Sequence, residues 1–540
     1  MAIKIQGTTI INDQTAYIDL AGTTAIKVPV GADLERPAGV TGQIRYNSTA
    51  AAFEGFGGAG WGSIGGSANP TLEAIASGTL PNGVPVVINP DGTVSAVSVV
   101  VGLSSSEAVV FESASASYIS ATFDSFNNKV VIAYQDAGNS NFGTAIVGTV
   151  SGTSISFGTP VVFESAFTFS TSVTFDSNSN KVVIAYRDFG NSGFGTARVG
   201  TVSGTSISFG TTVVFESANT DQISATFDSF NNKVVIAYYD GGNSGFGTAI
   251  VGTVSGTSIS FGTPVVFESA GTVFISTTFD SSNNKVVIAY YDAGNSGFGT
   301  AVVGTVSGTS ISFGTPVVFE SANTTYISAT FDSFNNKVVI AYKDAGNSNF
   351  GTAIVGTVSG TSISFGTTVV FESATTDQIS AVFDSFNNKV VVAYYDGGNS
   401  NFGTAVVGTV SGTSISFGTA VVFESATAIY TAATFDSNSN KVVIAYRDGG
   451  NSSFGTAAAI TIELATNLTT ENYIGFSAGA YADATTATVQ LIGAINNVQL
   501  GLTAGQQYFV TGTGALAETP GNPEVYAGLA VSSTKLIVKR

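Results

Sequence analysis

Residues Tyr118–Ala166 read "YISATFDSFNNKVVIAYQDAGNSNFGTAIVGTVSGTSISFGTPVVFESA" and hold four strand-like runs separated by turn residues. The runs are Tyr118–Phe123, Lys129–Tyr134, Thr144–Val150 and Ser154–Phe163. Asn-Asn and Ser-Gly between them supply the left-handed conformations that tight hairpins need. Nothing recurs at helical spacing, and Gly and β-branched residues disfavour helix. The second run is apolar on both faces, with Val130 and Ile132 pointing one way and Val131 and Ala133 the other. A strand with one wet side would alternate, so each sheet is expected to lie between two similar sheets. Proline in some copies of the fourth run (Pro160, Pro264, Pro316) suits an outer edge strand, where no neighbour needs its N–H.

The unit recurs every 52 residues, and its parts do not recur equally often. "VVFESA" occurs seven times, from Val109–Ala114 to Val421–Ala426, and "GTVSGTSISFGT" six times, from Gly148–Thr159 to Gly408–Thr419. The last copy has its first three runs (Ile429–Phe435, Lys441–Tyr446, Gly455–Leu464) and then breaks off. A spare fourth run, Val99–Phe111, lies upstream of the first complete copy. If that run completes the last sheet, the count is seven whole sheets in a ring closed by its own ends. The expected fold is therefore all-β: a seven-bladed β-propeller of 52-residue, four-stranded repeats, with small β domains at both ends. A β-solenoid is the second choice, but an open stack gives no reason for complementary fragments. The expected boundaries are 1–66 for an N-terminal module, 67–98 for strands pairing with the C-terminal domain, 99–464 for the propeller and 465–540 for the C-terminal domain.

Composition narrows the chemistry. The 540 residues include 64 Gly, 39 Phe and 19 Tyr but only 10% charged residues. The net charge of -18 argues against nucleic acid or an anionic membrane as partner. With no Cys and no His, disulfides, zinc sites, Cys nucleophiles and His-based triads are excluded together. No cofactor is expected. The start, "MAIKIQGTTIINDQ", has no signal-peptide core, and Ala96–Leu103 is far too short to span a membrane. Synthesis in the cytoplasm without membrane insertion is the expectation.

The copies differ mainly in two places. The segment after "FESA" carries Tyr118, Phe167, Phe169, Asp221, Gln222, Phe274, Tyr326, Asp377, Gln378 and Tyr430. The residue between Tyr and Asp at the end of the second run is Gln135, Arg187, Tyr239, Tyr291, Lys343, Tyr395 or Arg447. In an up-and-down blade both places fall at one end, near the central channel. That face offers aromatic rings beside hydrogen-bonding groups, which suits a carbohydrate or protein surface. A set of merely tolerant loops is the alternative. The opposite face, built from "DSFNNK" and "SGT" turns, is nearly uniform.

Seven aspartates in "YxDxGNS" (Asp136, Asp188, Asp240, Asp292, Asp344, Asp396, Asp448) admit a calcium loop or an Asx-type turn holding backbone N–H groups. One carboxylate per loop is sparse for calcium, so the turn is preferred. The motif also resembles the Asp-box of sialidases. However, the single tryptophan, Trp61, lies outside the repeats, and Arg187, Arg198 and Arg447 do not readily make a sialidase arginine cluster. Asp221 and Asp377 belong to the third and sixth blades, too far round the ring for a glycosidase pair. No enzyme activity is expected.

Residues Arg36–Gly66, "RPAGVTGQIRYNSTAAAFEGFGGAGWGSIGG", resemble a motif of tailed-bacteriophage virion proteins, especially those of T4-like and marine cyanophages. The matching residues are Gly42, Ile44, Arg45, Tyr46, Asn47, Phe53, Glu54, Gly55, Trp61, Ser63, Gly65 and Gly66, with Phe56 in place of the usual Tyr. Read physically, the segment is a two-hairpin module with Trp61 and Phe53 as its core. Thr469–Arg540, with "GLTAGQQYFV" and "AGLAVSSTKLIVK", is similar to terminal β domains of marine phage structural proteins. The resemblance implies a tail fibre or related virion appendage, attached to other virion proteins through its N-terminal region and assembled as a homotrimer. The expected function is recognition of a host-surface glycan or protein by the propeller. A structural collar or capsid-decoration role without receptor binding is the alternative, and a polysaccharide-degrading enzyme is disfavoured.

Overall fold

The computed structural model describes residues 3–5, 8–11, 30–32, 44–49, 52–57, 60–63 and 70–539. The chain divides into two compact units, Val100–Ala465 and the pair of segments Met1–Val99 and Thr466–Arg540.

The first unit is a closed ring of hydrogen-bonded strands forming seven four-stranded blades. In blade one, the inner strand is the second half of Val109–Asp124; Lys129–Asp136 and Phe142–Ser151 follow it outward. The outer strand comes in two pieces. Ser154–Phe157 pairs with one end of the third strand, and the beginning of Val161–Asp176 pairs with the other. Pro160 sits in the break, and the Gly158 N–H still donates to the Val147 carbonyl across it (2.9 Å). The 16-residue strand Val161–Asp176 then runs on without a loop to become the inner strand of blade two. The link expected as a connecting segment is therefore itself strand, in every blade.

Residues Val130–Tyr134 of the second strand are fully buried, so both faces are covered. Blade one contributes Val131, Ala133, Ala145 and Val147 to one core, and blade two closes it with Val182, Ile184 and Tyr186. Glycine permits close approach at the rim. A Cβ on Gly158 would lie 1.8 Å from the carbonyl oxygen of Thr205 in the next blade, and the same holds at Gly210, Gly262, Gly314 and Gly366. This contact explains why the glycine of "SFGT" does not vary between copies. At the channel, Ser120, Ser172, Ser224, Ser276, Ser328 and Ser380 each accept a hydrogen bond from the next inner strand's backbone N–H (2.9–3.0 Å). The junction of blades seven and one has Ala432 at the corresponding position.

The upstream strand completes the seventh blade. Val99–Ser105 and Phe454–Thr466 are the two ends that close the ring. Val109 pairs with Ala457 and Val110 with Thr456, and the Ser106 N–H donates to the Ala459 carbonyl (2.9 Å).

The second unit draws on both ends of the chain. Thr71–Ile75, Pro85–Ile88 and Val94–Ala96 form one five-stranded sheet with Tyr473–Ser477 and Thr486–Gln490. Ile495–Val538 supplies a second five-stranded sheet. Val87, Val97, Tyr473 and Phe476 share a core with Tyr508, Val510, Leu536 and Val538, so the two sheets pack on each other. Within the motif-bearing segment, Ile44–Asn47, Ala52–Gly57 and Gly60–Ser63 form two successive hairpins, with Val30–Gly31 added in parallel. Its interior includes a polar network: Arg45 Nε lies 3.2 Å from Glu54 Oε1, Asn47 Nδ2 donates to Glu54 Oε2 (2.9 Å), and the Arg45 guanidinium is 5.9 Å from the Trp61 ring. The Phe53 side chain, Gly42, Gly65 and Gly66 lie outside the described residues.

Candidate functional site

Each inner strand enters its blade through a bulge. Ala116 and Ser117 pair with Asp136 and Gln135, the register then shifts, and pairing resumes at Ser120 with Ala133. The bulge leaves one residue per blade at positive φ: Tyr118, Ser170, Gln222, Phe274, Tyr326, Gln378 and Tyr430, all between 47° and 53°. A non-glycine residue held there costs about 1–2 kcal/mol. None of the seven positions uses Gly or Asn, the residues that adopt this conformation most readily. Bulges re-aim side chains beside binding sites, and here they do so seven times round the channel mouth.

The ring this makes is not uniform. Tyr118 and Tyr430 touch (centroids 5.2 Å), as do Phe274 and Tyr326 (5.2 Å). Polar residues separate the two aromatic arcs. The Gln222 carbonyl accepts from the Phe274 N–H (2.8 Å), and the Gln378 carbonyl from the Tyr430 N–H (2.9 Å). Tyr118, Ile119, Ser170, Thr171, Gln222, Ile223 and Ile275 line a pocket of about 220 Å³.

The second variable position lies at the same end and reaches towards the following blade. Arg187 pairs with Asp221 (3.4 Å), Lys343 with Asp377 (2.6 Å), and Arg447 donates to the Ser117 hydroxyl (3.2 Å). The Gln135 amide donates to the Thr168 carbonyl (2.6 Å). The same cations lie over rings: Arg187 over Phe169 (5.5 Å), Lys343 over Tyr326 (5.7 Å) and Arg447 over Tyr430 (5.0 Å). Tyr239 and Tyr291 lie against Gly245 and Gly297, where any Cβ would meet the ring at 2.5–2.6 Å. Of the seventeen side chains singled out from sequence, Gln135 is buried and the rest, Tyr395 included, are half-buried. Asp221 and Asp377 are each held by a cation, not by a second carboxylate. Arg198 is held by the Gly210 and Phe163 carbonyls, so the three arginines have separate partners.

The seven loop aspartates cap backbone. Each Oδ1 accepts from the N–H three residues on, at 3.1–3.2 Å, from Asp136 with Asn139 to Asp448 with Asn451. Among the described residues no three acidic side chains converge as a metal site would require.

Three features went unnoticed in the sequence. Phe189, where the other copies have Ala or Gly, joins Phe167 and Phe169 in a cluster found in blade two (4.6–6.1 Å). Phe126, Phe230, Phe334 and Phe386 are 64–66% exposed on the opposite face. Finally, the buried tyrosine ending each second strand donates to the glutamate of "FESA", from Tyr134 with Glu112 to Tyr446 with Glu424 (2.9–3.1 Å). Burial pushes these tyrosines far up, so they stay protonated donors. Their invariance across seven copies was the available signal.

The glutamates titrate in a way that can be measured. Burial raises Glu112, Glu164, Glu216, Glu268, Glu320, Glu372 and Glu424 above the ordinary value of 4.5. A raised carboxyl binds its proton more tightly when folded. Its stabilisation is complete below 4.5 and is lost as pH rises through the folded value. The melting temperature of the propeller should therefore fall as pH rises above 4.5. A melting series that stays flat or rises over that range would contradict this account of the seven pairs.

No protein-family profile matches the chain, and no curated protein matches it. Among solved structures, the chain is similar to the BP39L lectin from Burkholderia pseudomallei, at 11% identity over 67% of this chain and 98% of that one, with a TM-score of 0.47. It is similar to the Cps50 (Swd1) β-propeller domain of Myceliophteria thermophila at 8% identity over 65% and 98%, TM-score 0.43. AofleA from Arthrobotrys oligospora follows at 11% identity over 64% and 97%, TM-score 0.37.

Proposed function

We propose that this protein is an appendage of a tailed-phage virion, and that its propeller binds a host-surface glycan at the bulged mouth of the channel without cleaving it. The seven non-glycine residues at positive φ carry this reading. Strain of this kind persists where a side chain is needed in a particular place. Aromatic rings beside amides and ion pairs suit the apolar faces and hydroxyls of sugars. The phage-like motif around Arg45, Glu54 and Trp61 supports attachment to a particle. In a homotrimer, three weak sites would act together through avidity.

Glycine tests the site without breaking the fold, because it suits the backbone conformation. A full-length chain with Tyr118→Gly, Phe274→Gly, Tyr326→Gly and Tyr430→Gly should lose binding by roughly a hundredfold or more on an array of bacterial surface polysaccharides. Its melting temperature should fall by several degrees, because Phe274, Tyr326 and Tyr430 pack against blade cores, while its circular dichroism keeps the β signature of the parent. Undiminished binding by this variant, or no binding by the parent chain, would overturn the assignment.

The structural alternative rests on a different observation, the four exposed phenylalanines on the opposite face. Rings 64–66% exposed at turn tips suit a protein partner. Under that reading the parent chain binds no polysaccharide.

A further inference from the structure

Two of the seven blade junctions at the mouth differ from the rest. From blade two to three and from blade five to six, a cation ending one second strand meets an acid on the next inner strand: Arg187 with Asp221 (3.4 Å) and Lys343 with Asp377 (2.6 Å). Among the described residues these are the only salt bridges in the propeller; Arg447 meets the Ser117 hydroxyl instead. The second pair lies three repeats after the first. Each acid is followed by a glutamine at the bulge, Gln222 or Gln378, and lies directly opposite a tyrosine in the strand pair, Asp221 opposite Tyr239 and Asp377 opposite Tyr395. Side chains so paired share one face of the sheet at close range. Each cation also lies over a ring, Arg187 over Phe169 (5.5 Å) and Lys343 over Tyr326 (5.7 Å). One constellation of ring, cation, acid and tyrosine therefore occurs twice on the rim, three blades apart.

Blade docking does not account for the two pairs. The other five junctions close without one, and part-exposed ion pairs contribute little to stability. All four side chains remain open to solvent: Arg187 and Asp221 are 21% and 37% exposed, Lys343 and Asp377 17% and 25%. Their hydrogen-bonding capacity is only partly used. Asp221 Oδ1 accepts from the Ser170 hydroxyl and the Gln222 N–H (2.8 Å), while Oδ2 faces Arg187 alone. Asp377 uses Oδ1 on Lys343, and its Oδ2 accepts from no described residue. Lysine carries three donors and arginine five, and each spends one on its acid.

Building on the glycan-binding proposal, we infer that each constellation is a sugar subsite that recognises a vicinal diol, so that one chain holds two like subsites. The carboxylate accepts from one hydroxyl of the diol, the cation donates to its neighbour, and the tyrosine ring covers the adjoining C–H face. An acceptor and a donor held 2.6–3.4 Å apart match two adjacent hydroxyls, one acting as donor and the other as acceptor. The ring beneath each cation holds its head group in place, which lowers the cost of ordering it when the sugar binds. A polysaccharide repeats its sugars, so two like subsites grip one strand at two points and gain by avidity.

The test uses the full chain and an array of bacterial surface polysaccharides, each printed untreated and after periodate oxidation, which cleaves vicinal diols. Oxidation should weaken binding roughly tenfold or more. Disaccharides released by acid hydrolysis of a polysaccharide that binds are then titrated by calorimetry and saturation-transfer NMR. The parent chain should take two per chain, Asp221→Asn or Asp377→Asn alone should take one, and the double variant should bind roughly tenfold more weakly or not at all. Asparagine keeps the size of the side chain and removes its charge. Arg187→Gln and Lys343→Gln, which leave the acids and the bulge residues in place, should give the same counts. Ion pairs that only join blades would lower the melting temperature without halving the count. A parent count other than two, a count unchanged in the single variants, or equal binding to oxidised polysaccharide would overturn the two subsites. Array binding that survives in the double variant would also overturn them but leave glycan recognition standing. No array binding by the parent chain would remove both readings.

Discussion

Deleting Leu72–Val97 from the full chain is expected to unfold residues 466–539 while the propeller stays intact. The deleted segment supplies three of the five strands in the first sheet of that unit. Leu80, Val86, Val87 and Val94 within it are fully buried. Burying such side chains is worth about 1.5–3 kcal/mol each, so four of them approach the ~5–15 kcal/mol that stabilises a whole domain. Val87 and Val97 also cover the second sheet, so that sheet loses part of its core too. The propeller keeps its closing strand, and its blade cores include none of the deleted residues. Hydrogen exchange on the full chain reads the result directly. Protection should vanish at Ala487, Val489 and Tyr508 and persist at Val130–Tyr134 and their six repeats. Residues 466–539 that remain protected after the deletion would show that the C-terminal part folds without its upstream strands.

Several parts of this architecture were legible because they depend on local pattern or on counting. The apolar faces of Val130–Ala133 require cover on both sides, and the structure provides it. The surplus "VVFESA" over "GTVSGTSISFGT" has a simple solution in a ring whose last blade takes its outer strand from upstream. Other parts depend on tertiary contacts that leave no local mark. The fusion of outer and inner strands across Val161–Asp176 reads the same as two strands with a link, since Phe167–Ser170 carries no turn residue beyond serine. The bulge was hidden for the opposite reason. Positive φ is usually announced by Gly or Asn, and Tyr118, Phe274 and Gln378 announce nothing.

The site was partly legible in the same sense. Variation between copies picked out both ends of the funnel wall, and the structure brings them together at the mouth. What variation missed was pairing. Arg187 with Asp221 and Lys343 with Asp377 share one spacing, and each cation has its acid in the following blade. Residues offered separately as contacts thus also hold neighbouring blades together.

Closure of the ring underlies all of these proposals, because the funnel exists only if seven inner strands surround one channel. Val109 and Ala457 lie directly opposite each other in the closing pair, as Val161 and Ala145 do in blade one. Opposed residues in antiparallel strands have Cα atoms about 4.5–5.5 Å apart, within the ~4.4–6.8 Å that a disulfide spans. The chain has no cysteine, so Val109→Cys with Ala457→Cys gives a cross-link free of background. The loop it closes is nearly the whole propeller, for which chain entropy predicts a gain of about 6 kcal/mol, less any strain. Mass spectrometry of the oxidised double variant is the decisive measurement. A closed ring predicts an intramolecular disulfide in nearly every monomer and a higher melting temperature that reduction reverses. Free thiols, or disulfides only between chains, would mean that the two ends never meet and that the blades form an open stack.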